Sequence, residues 1–271
     1  MPINGPYISS TQVASSTPFD GTGGTDNGFN STDTQAAIEE IQVSVVTNIS
    51  TVATWKDDFI SYIVSANGVG ELQWQAAVQG TGSVFANSLS GVNDTKHPGQ
   101  ALLGTGSTTT GYSFLNLAPP FLGLYLGGGA LIQEWDVLVL NLGVTAQQYT
   151  FRFGFGDTAG SEPANGVYFS YANGVTGDFW VIKTAKSSTR TSITTAVAVV
   201  ANTWYKLRMK INAAATSTEY FIDDVSVGTI TTNIPILPVS PFIGVTKTAG
   251  TTSRAIEVDY FAMKQILTTP R

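Results

Sequence analysis

The sequence predicts a mainly β protein: an antiparallel sandwich preceded by an N-terminal arm and a short coiled-coil helix. In the block from Thr203 to Ile230, the apolar Tyr205, Leu207, Met209 and Ile211 alternate with Trp204, Lys206, Arg208 and Lys210. That period of two marks a strand with one buried face, and the two strands that follow it past the Asp223-Asp224 corner make a meander. Beyond Gly70, strand-like runs recur at intervals of roughly 8 to 15 residues between Gly, Asn, Asp, Ser and Pro, the spacing of an all-β sandwich. Ahead of Gly70, apolar residues recur at steps of three and four instead.

Residues 1–31 are rich in Gly, Ser, Thr, Asn and Pro, with scattered Ile8, Val13 and Phe19. Alone they bury too little surface to fold, so they read either as a loose tail or as an arm that orders on docking to a larger body. Residues 32–67 read as a helix. Thr32 or Asp33 supplies the N-cap, and Glu39 and Glu40 follow near the positive end of the helix dipole. Ile38, Ile41, Val45, Asn48, Val52, Trp55, Phe59 and Tyr62 occupy successive a and d positions. β-Branched residues at both positions favour three or four strands, and a polar Asn48 in the seam fixes register. A parallel homotrimer is expected, with a dimer as the alternative. A lone amphipathic helix packed on its own sandwich has the same periodicity. Gly68 and Gly70 end the helix.

Residues 70–271 form the expected sandwich. Its strands are placed near Leu72 to Gln79, Gln100 to Leu103, Tyr112 to Leu117, Leu131 to Leu142, Gln148 to Phe155, Val167 to Tyr171, Phe179 to Lys183 and Ala196 to Ala201. The Thr203–Ile230 block and Arg254 to Gln265 complete it. About thirteen strands fit the length.

Only 12% of the 271 residues are charged, about half the usual share of roughly 25%, so the polar surface is hydroxyl-rich rather than ionic. A net charge of −6 and a pI near 4.7 offer no basic footprint, which excludes nucleic acid as a partner. The absence of cysteine removes disulfides, thiolate metal sites and cysteine nucleophiles together. The opening MPINGPYISSTQ has neither a basic n-region nor an apolar h-region, and no apolar run is long enough to span a bilayer. Neither a secretory signal nor a membrane partner is expected.

The TWYKLRMKIN block with its F-I-D-D corner resembles the concanavalin A-like, laminin-G-like jelly rolls of lectins, glucanases and phage fibres. HPGQALLGTGSTTTGYSFL, LGGGALIQEWDVLVLNL, QQYTFRFGFGD with EPANGVYFSY, TWYKLRMKIN and RAIEVDYFAM are similar, in that order, to a jelly-roll module of phage appendages, covering His97 to Arg271. In that module Ile256 to Phe261 is a central strand. FDGTGGTDNGFNSTDTQAAIEE likewise resembles segments leading into the helical stalks of phage fibre and virion appendage proteins. The resemblance implies a structural virion protein of a bacteriophage, a head fibre, decoration or tail fibre on the particle surface. The arm would contact other virion proteins, the helix would join copies of the chain, and host-surface glycans would be the external partner. The alternatives are a dedicated lectin-like receptor-binding protein and a polysaccharide-degrading enzyme.

Enzymes on the fold it resembles, the laminarinase-type glucanases, carry E-x-D-x-x-E on one strand. Glu134 and Asp136 match the first two carboxylates, but Val139 stands in the place of the third and cannot protonate a leaving group. Glu257 and Asp259, two apart, share one face of a strand and read as a polar pair. No catalytic residue and no enzymatic activity are therefore expected. Asp223-Asp224 is a candidate calcium corner, although two carboxylates fall short of the six or more oxygens calcium takes; otherwise no cofactor is expected. His97, the sole histidine, lies in a loop sequence and reads as solvated or capping, and Gly123 to Gly129 reads as a tight turn. Tyr168, Tyr171 and Trp180, with Phe179, are the candidates for stacking a sugar ring, and core burial is the competing reading. Trp204 is either exposed or covers a neighbouring sheet.

Overall fold

The computed structural model describes residues 52–60, 69–87, 96–117, 123–172 and 177–269. Regular structure among them is β throughout. In chain order the strands are β1 (Val52–Asp57), β2 (Gln75–Gln79), β3 (Ser83–Asn87), β4 (Ala101–Thr105), β5 (Tyr112–Asn116), β6 (Gly129–Val139), β7 (Gln148–Gly156) and β8 (Gly166–Ala172). They continue with β9 (Phe179–Lys186), β10 (Thr189–Ala198), β11 (Thr203–Ile211), β12 (Thr218–Ile222), β13 (Val225–Ile230), β14 (Ser240–Ala249) and β15 (Ala255–Leu267).

These strands build two antiparallel sheets. One has the order β13-β12-β11-β6-β15-β4-β3, with β1 also paired to β15; the other has the order β10-β9-β8-β7-β14-β5-β2. The alternation of β11 holds: Tyr205, Leu207, Met209 and Ile211 are buried, and Lys206 and Arg208 lie on the outer face. β6 obeys the same rule, with Leu131, Gln133, Trp135 and Val137 inward and Ile132, Glu134 and Asp136 outward.

Between the sheets lies an aromatic core. Trp135 meets Phe153 edge to face at 6.4 Å, Trp74 meets Phe261 at 4.8 Å, and Phe153 stacks on Phe169 at 5.2 Å. Such pairs add about 0.5–1.5 kcal/mol each beyond the burial of their area. Trp74, Trp135, Phe153, Phe169 and Phe261 are all fully buried. A smaller cluster of Ala159, Tyr168, Ala185 and Phe242 forms a second core.

The expected helix fails where it can be compared. Val52–Asp57 is a strand, with Val52 opposite Ile266 and Trp55 opposite Met263, so neither residue belongs to a helical seam. Phe59 is buried against Trp74, their ring centroids 6.1 Å apart, and also serves the sandwich. The sandwich therefore begins ahead of residue 70. The physical reason is an unpaired edge: β4 covers β15 only from Ala255 to Val258, and β1 supplies the partner for Phe261 to Ile266. Over Val52–Asp57, satisfying that row of backbone groups outweighs the helical period. Ile38, Ile41, Val45, Asn48 and Tyr62 lie outside the described residues.

Candidate functional site

Strand β15 pairs with β6 along its length, while β4 and β1 follow one another end to end along its opposite edge. At the junction β15 carries a bulge. Val258 pairs with Val137 and Tyr260 with Asp136, leaving Asp259 as the extra residue. The bulge keeps Ile256 and Val258 inward before it and Phe261 and Met263 inward after it, a spacing that an unbroken strand cannot give. Its other consequence is to place Asp259 beside Asp136 on the outer face.

His97 arrives from the segment just before β4. Gly99 permits this approach, since a Cβ there would lie 2.1 Å from the Asp58 carbonyl oxygen and 2.7 Å from the Ile60 nitrogen. The Gln100 side-chain amide donates to the His97 carbonyl at 3.3 Å, tying the turn together. The imidazole lies parallel to the Trp204 indole, with centroids 4.0 Å apart and planes 9° from parallel. His97 Nδ1 is 3.1 Å from Asp259 Oδ2, and the Gly99 N–H donates to Asp259 Oδ1 at 3.2 Å. One donor atom each from His97, Asp136 and Asp259 lies within 4.8 Å of the others.

The charges around this cluster are unequally satisfied. Glu134 has Lys206 at 3.5 Å and Arg208 at 3.8 Å, and both cations also reach Asp224, at 3.5 and 2.7 Å. Lys206 stands opposite Asp136 in the ladder, yet its ammonium ion pairs are with Glu134 and Asp224. Asp136 Oδ1 is buried and has no hydrogen-bond partner among the described residues. Burial, followed by the Glu134 and Asp259 carboxylates, pushes the Asp136 carboxyl up to about 6. Burial also raises Asp259, opposed by its contacts with His97 and the Gly99 N–H.

The residues singled out in the sequence are distributed differently from expectation. Val139 is fully buried in the core, so the position of a third carboxylate on β6 points away from Glu134 and Asp136. Tyr168, Tyr171 and Trp180 are also fully buried, which corrects their reading as sugar-stacking residues. Tyr171 donates to Asp178 Oδ1 at 2.7 Å, Tyr168 donates to Glu162 at 3.1 Å, and Trp180 packs edge-on against Tyr205 at 5.3 Å. The aromatic run there serves the two cores.

Asp223 and Asp224 form the tight β12–β13 turn, with φ of 49° and 65°. Asp223 Oδ1 accepts the Lys206 N–H at 2.9 Å, while Asp224 takes Arg208 and Lys206. Both carboxylates thus have protein donors. His97 is not a free loop residue, and its pairing with Asp259, 162 positions away, was missing from the sequence reading.

Residues 96–259 match the family described as SO2946-like, C-terminal domain. No curated protein matches the sequence. Among solved structures the chain is similar to SO2946, a protein of unknown function from Shewanella oneidensis MR-1, at 14% identity and a TM-score of 0.55, covering 92% of this chain and 99% of that one. It is also similar to an endo-β-1,4-glucuronan lyase from the fungus Trichoderma reesei, at 11% identity and a TM-score of 0.54, covering 77% and 94% of the two chains. An endo-1,3-β-glucanase from Streptomyces sioyaensis gives 13% identity and a TM-score of 0.54, covering 80% and 98%. These likenesses establish a concanavalin A-like jelly-roll sandwich and leave activity to be argued from the site.

Proposed function

The chain belongs to the SO2946-like, C-terminal domain family. We propose that it is a non-enzymatic structural protein of a bacteriophage virion, displayed on the particle surface as an oligomeric fibre or decoration. The observation that carries the non-enzymatic part is the closure of the carboxylates. Glycoside hydrolysis needs an acid and a nucleophile or base that both reach the scissile bond. Here Asp136 Oδ1 is buried, Asp259 is 4% exposed, Glu134 is held by two cations, and Val139 faces the core.

The virion part is supported by the sequence of residues 1–31 and the stalk-like segment after it. The arm is the proposed contact with other virion proteins. The heptad spacing of Ile38, Ile41, Val45 and Asn48, which lies ahead of β1, is the proposed self-contact in a trimer. Weak adhesion of the sandwich to host-surface glycans would be amplified by three copies on one particle.

Electron microscopy of particles carrying a gold label at the C-terminus tests the proposal. Label at regular positions on the particle surface is the expected result, and unlabelled particles from cells that express the chain overturn it. Purified protein incubated with host polysaccharide should release no reducing or unsaturated sugar ends. Release that is lost in Glu134→Gln would establish an enzyme instead.

A further inference from the structure

We propose that His97, Asp136 and Asp259 form a three-donor site for a first-row divalent cation such as Zn2+. The argument begins with the ligand set. One imidazole nitrogen and two carboxylate oxygens come from three separate segments, the turn before β4, strand β6 and the β15 bulge, and converge within 4.8 Å. Two donors about 2.1 Å from one ion stand roughly 3.0–3.4 Å apart. His97 Nδ1 and Asp259 Oδ2 are 3.1 Å apart, which is that separation. The Asp136 carboxylate lies within 4.8 Å of both other donors, and its approach to bonding distance completes the set.

A second observation is independent of this convergence. Asp136 Oδ1 is shielded from solvent and accepts no hydrogen bond among the described residues, although a buried carboxylate oxygen without a partner is costly. The nearby cations do not resolve it, since the ion pairs of Lys206 and Arg208 are with Glu134 and Asp224. A cation between Asp136 and Asp259 would satisfy the orphaned oxygen and remove the repulsion between the two carboxylates.

The surrounding groups orient the donors as an outer shell does around a metal. The Trp204 indole fixes the plane of the imidazole, and the Gly99 N–H holds Asp259 Oδ1, leaving Oδ2 for the ion. Asp259 owes its direction to the bulge, a device that proteins use to re-aim side chains at sites. An imidazole donor selects Zn2+ and its first-row neighbours over calcium, which takes six to eight oxygens. Three protein donors leave a fourth coordination position to be filled by water.

The test uses the full chain, stripped with a chelator, dialysed and titrated with Zn2+ and in parallel with Ca2+ by calorimetry. The expected result is one Zn2+ per chain, a raised Tm, and no Ca2+ binding at the same concentrations. His97→Asn and Asp136→Asn should each weaken Zn2+ binding at least tenfold, while Glu162→Gln, in the connection between β7 and β8, leaves it unchanged. Co2+ in place of Zn2+ provides a readout that does not depend on stability: its visible absorption should appear with the wild-type chain and be lost in His97→Asn. No saturable Zn2+ binding, binding retained in both variants, or tighter binding of Ca2+ than of Zn2+ would each overturn the proposal.

Discussion

The imidazole of His97 lies flat on the indole of Trp204, with centroids 4.0 Å apart. The contact fixes the only histidine of the chain between an aromatic plane and the Asp259 carboxylate. Trp204 is the second residue of β11 and is half-buried on the outer face, so its ring is held by the contact as well. Trp204→Ala removes the platform and part of the buried area of a large side chain. The expected cost is about 1–3 kcal/mol, a fall in Tm of roughly 3–10 °C. Proton NMR supplies a direct check, because one histidine gives one set of imidazole signals. Those signals should be ring-current shifted in the wild-type chain and move toward free-histidine positions in the variant. Unchanged signals would show that the rings do not stack in solution.

How far the sequence revealed this arrangement depends on the kind of signal involved. β11 carries strict alternation and is legible as a strand, and β6 is legible as a long apolar run. β14 was missed, because Ser240 to Val245 is buried on both faces and shows no alternation to read. β10 was only partly caught, since its threonine-rich residues are mostly exposed and carry little apolar pattern. The β15 bulge did leave a trace. Ile256 and Val258 lie on one parity and Phe261 and Met263 on the other, so an extra residue was readable between them. What no local pattern contains is the partner of that residue. The His97–Asp259 contact spans 162 positions, and chain closure over that distance is set by the whole sandwich.

Asp57 gives a pH-dependent prediction. It is buried at the end of β1, where its carboxylate accepts the Phe59 N–H at 2.9 Å, the Leu72 N–H at 2.9 Å and the Trp74 indole N–H at 3.0 Å. Burial, and then a hydrogen bond with Glu71, outweigh the backbone donors and push its carboxyl from 3.8 up to about 6. A carboxyl whose folded value is raised favours the folded state below its unfolded value, and this contribution is lost as the pH rises through the folded one. The stability difference between wild type and Asp57→Asn should therefore shift against the wild type by about 2–3 kcal/mol between pH 4 and pH 6.5. Denaturant melts at the two pH values measure it, and a constant difference would refute it.

Glu162 should behave in the opposite sense. Burial raises its carboxyl, but the Lys183 ammonium at 2.7 Å, with Arg152 and Arg190, holds it below its usual value overall. A lowered carboxyl contributes stability above its unfolded value and loses it as the pH falls through the folded one. Because Glu162 and Lys183 are partly exposed, solvent screening keeps the effect small. Glu162→Gln should cost about 0.5–1.5 kcal/mol at pH 7, and the cost should shrink as the pH falls through the folded value. An equal cost across that range would mean that packing, not charge, holds Glu162 in place.

Two glycines separate backbone strain from the loss of glycine itself. Gly154 in β7 has φ of +143°, and a Cβ there would lie 2.4 Å from the Val167 carbonyl oxygen of the paired strand and 3.0 Å from Met209 Cε. Neither the backbone of β8 nor a fully buried methionine can yield without disturbing the core. Gly154→Ala should destabilise the sandwich by about 2–4 kcal/mol, lowering Tm by roughly 4–16 °C. Gly128, just ahead of β6, has nothing within 4 Å of the same added atom and no positive φ. Gly128→Ala should leave Tm within about 2 °C or raise it slightly, since alanine lowers the entropy of the unfolded chain. Equal losses in the two variants would mean that the close packing of β7 on β8 and on Met209 is not what requires glycine at position 154.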